Sequence, residues 1–292
     1  MRVVVFGAGA MACLFAARLA KVAQVVIVDT WQEGIKAIRQ QGILLEESGG
    51  FSRVGVRAEY AGAGAVDADF ALVLVKSWQT RWVAESLFNY LAPQGFAVSL
   101  QNGLGNLEQL GSRAFPGTTS EGATLLAPAH VRACGSGATY VAAPDWVVDL
   151  LRSAGFECYR CDMHEAEGLI WGKLAINCGI NPLTALLRIC NGELLQRPSA
   201  LDLATQAALE CAAVARAKGI MLPFSDPAAR LREVAERTAQ NRSSMLQDVL
   251  RGAPTECDAI NGAVVREGRA AGVATPVNEF LWKLLQATVR QS

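Results

Sequence analysis

The chain of 292 residues balances 27 Lys and Arg against 27 Asp and Glu, with 51% apolar residues and a mean hydropathy of +0.23. That composition excludes a disordered chain and suffices for two domains with cores of their own, while a net charge of zero offers no electrostatic footprint for nucleic acid or an anionic membrane. No stretch reaches the roughly 18 uninterrupted apolar residues of a spanning helix, so the expected partner is a small molecule.

In chain order, a buried-strand run over 2–6 precedes a helical stretch over 11–22 and a second strand over 24–28 that ends at Asp29. Glycines interrupt the apolar start and no cleavage pattern comes after it, so a cytoplasmic chain rather than a secretion signal is expected. A helix near 31–41, two short strands around Gly49-Gly50 and a strong strand over 70–75 come next. After them stand a helix at about 80–91, a strand over 96–100 and a helix over 104–113. Near-continuous apolar strands alternating with helices imply a parallel sheet covered on both faces. Residues 118–161 read as shorter strands with a turn at Gly135-Ser136-Gly137, closing a first domain over 1–163. Beyond Asp162 the pattern is helical only, over 164–187, 190–196, 199–218, 226–240, 247–251 leading into 256–271, and 277–290. The expected fold is therefore α/β, a Rossmann-type domain with a parallel sheet followed by an all-α domain over 164–292.

Eight scattered cysteines in such a chain read as reduced core thiols. Cys158, Cys161 and His164, with His130 or Cys134, have a spacing that zinc sites use. A strand over 156–161 points the two cysteines to opposite faces, so no metal is expected.

Gly7-Ala8-Gly9-Ala10-Met11-Ala12 follows a strand and opens a helix, the context that a dinucleotide-binding turn requires. Gly7 permits the tight turn, Gly9 lets the backbone approach a pyrophosphate at the helix N-terminus, and Ala12 stands where only helix–strand packing is at stake. Asp29, twenty residues after Gly9, is placed to bind the adenosine ribose hydroxyls. A carboxylate there repels a 2′-phosphate and Thr30 comes next, which favours NAD(H). Lys36 and Arg39 on the next helix leave NADP(H) open.

In the second domain, Lys173, Asn177 and Asn181 recur at i, i+4 and i+8 within Trp171–Thr184, so one helix face carries an amine and two amides among apolar neighbours. Such a stripe either hydrogen-bonds within the protein or lines a wet cleft. Further on, Asn241-Arg242-Ser243-Ser244-Met245 precedes Thr255-Glu256. Ser243 or Ser244 is a candidate cap for a helix near Met245, and Thr255 for one beginning at Glu256.

Gly7–Ala12, Val75-Lys76-Ser77-Trp78-Gln79, Gln101-Asn102-Gly103-Leu104-Gly105, Trp171–Thr184 and the paired Ser244 and Glu256 segments, in this order, resemble the ketopantoate reductase (2-dehydropantoate 2-reductase) family over essentially the whole chain. The resemblance implies NADPH-dependent reduction of 2-dehydropantoate to (R)-pantoate, on the route to pantothenate and coenzyme A. It assigns Lys173 as general acid and Glu256 as the carboxylate that orients lysine and substrate. Asn177 and Asn181 match amides at the substrate's hydroxyl end, Asn241 and Ser244 match groups that hold its carboxylate, and Lys76 and Asn102 match residues beside the nicotinamide. The chain departs from the family pattern at Thr30, where many members carry Arg, and at Ala253-Pro254, where relatives commonly read Arg before Thr-Glu. A reductase of another branched 2-oxo acid and a catalytically silent NAD(P)-binding sensor are the alternatives. A monomer or a homodimer is expected.

Overall fold

The computed structural model describes residues 1–64 and 66–288. By compactness the chain divides into two units, Met1–Gln101 with Asn106–Ala166, and Asn102–Gly105 with the residues from Glu167 on.

The first unit runs β1 (Arg2–Phe6), α1 (Ala10–Leu19), β2 (Gln24–Asp29), α2 (Gln32–Gln41), β3 (Ile43–Glu47), β4 (Gly50–Val54), β5 (Arg57–Tyr60) and β6 (Ala68–Val73). It continues through α3 (Thr80–Ser86), β7 (Leu91–Ser99), α4 (Asn106–Leu110), β8 (Ala114–Thr119), β9 (Gly122–Ala127), β10 (His130–Gly135), β11 (Thr139–Val141), α5 (Asp145–Ser153) and β12 (Cys158–Arg160). Eight strands form one sheet in the order β12-β11-β8-β7-β6-β1-β2-β5. It is parallel from β5 to β8, and β11 then pairs antiparallel with β8. Both faces are buried: Val3 and Val5 point into one core and Val4 and Phe6 into the other. This two-sided burial explains why β1 reads as an unbroken apolar run.

A second sheet, in the order β4-β3-β10-β9, packs against the outer side of α1. With strands on both sides, α1 buries seven of its ten residues. A helix apolar all round needs such an enclosure, and the enclosure accounts for the signal-like look of the first twenty residues.

Three expected elements change. The helix expected over 104–113 shrinks to α4, because Gly103, Gly105 and Gly111 all take positive φ. The helix expected over 80–91 stops at Ser86 and ends in a 3₁₀ turn over 87–89. The stretch read only as strands contains α5, which starts after Pro144 and buries Val147, Val148, Leu150 and Leu151 at helical spacing.

The second unit is helical: α6 (Met163–Leu187), α7 (Pro198–Ala217), α8 (Pro227–Arg237), α9 (Ser244–Leu250), α10 (Ala263–Ala271) and α11 (Pro276–Thr288), with a 3₁₀ segment over 191–196. Its core gathers Trp171, Leu174, Ile180, Leu201, Val214, Leu231 and Leu281, apart from the cores of the first unit. The α6 helix is central. Gly172 faces the ring of Pro223 and Gly179 the backbone of Ala204, where a Cβ would come within 2.7 and 2.5 Å respectively. The Lys173–Asn177–Asn181 stripe lies about 140° round the helix from that glycine edge, at 3.6 residues per turn.

The helix expected over 256–271 is not one α-helix. After a turn at Glu256-Cys257, a π-helical turn spans Asp258–Gly262, with the Gly262 amide donating to the Cys257 carbonyl at 2.9 Å, and α10 comes after it. No helix of the described residues is long and apolar enough to cross a membrane. Among those residues no group of three or more His, Cys, Asp or Glu could hold a metal ion, and the cysteines are free thiols.

Candidate functional site

In the first unit the residues with dinucleotide-binding spacing converge at the carboxyl ends of β1, β2 and β6. Strand order reverses between β1 and β6, where open α/β sheets hold ligands. Gly7 has φ +121°, and a Cβ on it would press at 3.2 Å on the backbone of Leu74 and on Ala12. Glycine at 7 and the small, fully buried Ala12 therefore belong to one tight turn.

Around Gly9 the space is open: nothing lies within 4 Å of where a Cβ would stand, and no side chain caps the first turn of α1 at Ala10 and Met11. Free N–H groups at a helix start, with room for a group to reach the backbone, fit the pyrophosphate of a dinucleotide.

Asp29 is 4% exposed. One carboxylate oxygen accepts the Ala8 amide at 2.5 Å and the other the Trp31 amide at 3.0 Å. The carboxylate thus ties the end of β2 to the glycine turn and puts negative charge beside it. Beneath the turn, the Cys13 thiol donates to the Ala8 carbonyl; burial first, and then the charge of Asp29, push its pKa up to about 12, which keeps it neutral.

Lys76 follows β6 and opens a 3₁₀ turn over Ser77–Gln79, from which the Gln79 side-chain amide reaches the Thr30 hydroxyl at 3.4 Å. Of the two nearby tryptophans, Trp82 packs edge-on against Phe6 in the core and Trp78 is 44% exposed.

Asn102 joins the second unit. The Leu104 amide donates to the Ala259 carbonyl at 3.0 Å, and Gly103, at φ +81°, fits so closely that a Cβ would lie 2.4 Å from the same oxygen. This seats Asn102 on the turn that comes after Glu256.

On α6, Lys173 and Asn177 are partly buried and Asn181 nearly fully so. Burial lowers the Lys173 pKa to about 8, opposed by the charge of Glu256, which is itself 4% exposed. Lysine and glutamate are thus electrostatically paired in a site of low polarity. Thr184 extends the stripe. Its hydroxyl meets the Ser243 hydroxyl at 2.7 Å and lies 2.8 Å from the Ile180 carbonyl.

Ser243, not Ser244, caps α9, accepting the Leu246 amide at 3.1 Å. Among the described residues the side chains of Asn177, Asn181, Asn241 and Ser244 make no hydrogen bond within the protein, although Ser244 and Asn241 flank the segment that Thr184 holds against α6. Amides on the face of α6 that carries Lys173, with an amide and a hydroxyl on the segment held to that helix at Thr184, none of them hydrogen-bonded among the described residues, are suited to a small polar ligand. The cap at Ser243 is among the two that the sequence offers, but its contact with Thr184 escapes a reading by sequence, though Thr184 lies three residues beyond Asn181 on the same face.

Comparison with known proteins bears on both units. Residues 3–146 match the family model "Ketopantoate reductase PanE/ApbA" and residues 165–289 match "Ketopantoate reductase PanE/ApbA C terminal". The 2-dehydropantoate 2-reductase of Archaeoglobus fulgidus is 35% identical, covering 98% of this chain and 97% of its own. A ternary structure of D-mandelate dehydrogenase with NADH and anilino(oxo)acetate superposes with a TM-score of 0.92 at 25% identity, covering 99% of this chain and 98% of the other. The PanE/ApbA family ketopantoate reductase from Ralstonia eutropha JMP134 superposes with a TM-score of 0.88 at 30% identity, covering 99% and 98%. With both halves matched, and the glycine turn and the lysine–amide stripe in the units that these matches span, the chain belongs to the ketopantoate reductase family.

Proposed function

We propose that this chain reduces 2-dehydropantoate to (R)-pantoate with a reduced nicotinamide cofactor. Residues 1–163 bind the dinucleotide and residues 164–292 bind and protonate the substrate. The carrying observation is the Lys173 and Glu256 pair, with the Asn177 and Asn181 side chains on the lysine's face of α6 making no hydrogen bond among the described residues.

When bound, the reduced nicotinamide supplies the hydride. As the ketone carbon is reduced, negative charge gathers on its oxygen, and the Lys173 ammonium stabilises that charge and then donates its proton there. Glu256 holds the lysine in place and favours its charged form. Asn177 and Asn181 orient the substrate's hydroxyl end without adding charge, and Ser244 with Asn241 donates to its carboxylate. In the first unit, Gly7, Gly9, Ala10, Met11 and Ala12 shape the pyrophosphate seat, Asp29 faces the adenosine ribose, and Lys76 and Asn102 serve the nicotinamide end.

A second reading concerns cofactor and substrate together. The buried carboxylate of Asp29 and the hydroxyl of Thr30 favour NADH over NADPH, because a 2′-phosphate meets a negative charge there, while Arg39 of α2 is engaged by the Ala58 carbonyl and Glu59. The likeness to an NADH complex of D-mandelate dehydrogenase supports this, and with it a 2-oxo acid other than ketopantoate.

One assay tests these readings. The purified protein is incubated with ketopantoate, 2-oxoisovalerate or the oxo acid of mandelate and with each reduced cofactor, and loss of cofactor absorbance is monitored. Ketopantoate turnover faster with NADH than NADPH is expected. Nucleotide binding without turnover of any oxo acid identifies a sensor instead.

A further inference from the structure

Pro182 sits inside α6, one residue after Asn181. A proline has no amide hydrogen, so the carbonyl four residues back, that of Cys178, loses its helical partner. Such a buried carbonyl needs a replacement donor.

The replacement comes from Asn261, whose side-chain amide donates to the Cys178 carbonyl at 2.9 Å and to the Asn278 side-chain oxygen at 3.0 Å. Asn278 in turn donates to the Ala207 carbonyl and to Glu210, which also accepts the Val277 and Asn278 backbone amides. Both asparagines are fully buried, so neither touches substrate.

Asn261 lies in the π turn, five residues after Glu256 and two after Ala259, where Leu104 docks. The extra residue of a π turn changes the helical phase of the residues after it, and here Asn261 is aimed at α6. One carboxamide therefore joins the proline break of the helix that carries Lys173, Asn177 and Asn181 to the turn next to Glu256.

We propose that Asn261 is a positioning residue: it supplies the hydrogen bond that Pro182 removes and so fixes the lysine-bearing helix against the glutamate-bearing turn. This rests on the catalytic assignment of Lys173 and Glu256 above. Restoring an amide hydrogen at 182 should then satisfy the Cys178 carbonyl without Asn261, but not the link between helix and turn.

The test is a double-mutant cycle in the full chain, with Asn261→Ala, Pro182→Ala and the double variant. Thermal unfolding, kcat, KM and the pH dependence of kcat/KM are measured for each. The Asn261→Ala variant is expected to lose stability and about 10- to 100-fold in kcat, the scale of small misplacements of reacting groups. Its KM for the cofactor should not change, and its fall in kcat/KM at high pH should shift away from about 8. In the double variant most of the stability should be recovered, since Pro182→Ala supplies the missing amide hydrogen, while the fall in kcat should persist, since nothing then ties α6 to the turn.

Wild-type kcat and an unshifted pH profile in a folded Asn261→Ala variant would overturn the proposal. A loss of stability that Pro182→Ala fails to relieve would also overturn it, as would a double variant that regains wild-type kcat, and so would a single and a double variant that both fail to fold, since the need for Asn261 would then lie outside the Cys178 carbonyl. If the wild type turns over no oxo acid, the catalytic reading fails, and that failure is separate from the coupling seen in thermal unfolding.

Discussion

Ser243 and Ser244 are neighbours with unlike surroundings. Ser243 Oγ accepts the Leu246 amide and meets Thr184, whereas the Ser244 hydroxyl makes no hydrogen bond among the described residues. Ser243→Ala is therefore expected to cost about 1–2 kcal/mol, the worth of an N-cap and its partner, as read by denaturant unfolding. Ser244→Ala should leave stability within about 0.5 kcal/mol and raise KM for the oxo acid about tenfold or more, as loss of a hydrogen bond to a carboxylate does. Equal effects of the two substitutions would contradict this division.

Lys173 gives a second contrast. Its pKa, lowered by burial to about 8, leaves it protonated below that pH and neutral above. In the proposed role of acid in reduction it acts only when protonated, so kcat/KM should be level below about 8 and fall above it. Oxidation of the hydroxy acid, in which the neutral amine accepts the proton, should rise through the same pH. Lys173→Ala should lower turnover by about 10²–10⁴-fold with the dinucleotide Kd unchanged. A mutant with normal turnover, or profiles that ignore pH 8, would remove the lysine from its role.

Among the elements, those built from local signals are legible in the sequence. The turn from Gly7 to Ala12 is read from glycine spacing between an apolar run and a helix, and α6 from its periodicity and polar stripe. Elements that depend on distant partners are not. The second sheet pairs His130–Arg132 with Leu44–Glu46 across more than eighty residues, which no local pattern records. The π turn over 258–262 is equally hidden, because the spacing of Ala259, Ile260, Ala263 and Val264 suits an ordinary α-helix. Gly103 belongs with the hidden cases: the sequence places it just before an expected helix, and neither its left-handed turn nor its fit against Ala259 is visible there. Gly103→Ala is expected to cost about 1–2 kcal/mol from the backbone alone, with the 2.4 Å approach to the Ala259 carbonyl adding to it. Because Asn102 then shifts, kcat should drop along with the melting temperature. An alanine variant as stable and active as the parent would mean that this seat does not hold Asn102.

Taken whole, the molecule has a core on each face of the first unit's sheet, another in the second unit, and a charge balance of zero. The proposed ligand groups share the same economy, with amides and hydroxyls around one lysine and one glutamate, so recognition rests on directed hydrogen bonds more than on long-range steering. Because the glycine turn and Asp29 are formed in the folded unit only, a dinucleotide should stabilise it by mass action. At a hundred times its Kd the gain is about 2.7 kcal/mol, visible as a rise in melting temperature that is larger with NADH than with NADPH at equal concentration. A melting temperature indifferent to both nucleotides would argue against the site.

The four residues Asn102–Gly105 leave the first unit, join the second and return. The chain thus changes units three times, after Gln101, Gly105 and Ala166. A gene cut once near residue 163 yields no two self-sufficient pieces, because the first would carry Gly103 and Leu104 while Ala259 stayed in the other. Chimeras in this family therefore have an inheritance rule: a helical half taken from a relative should bring that relative's 102–105 segment with it, so that the bead of backbone and its socket come from one parent.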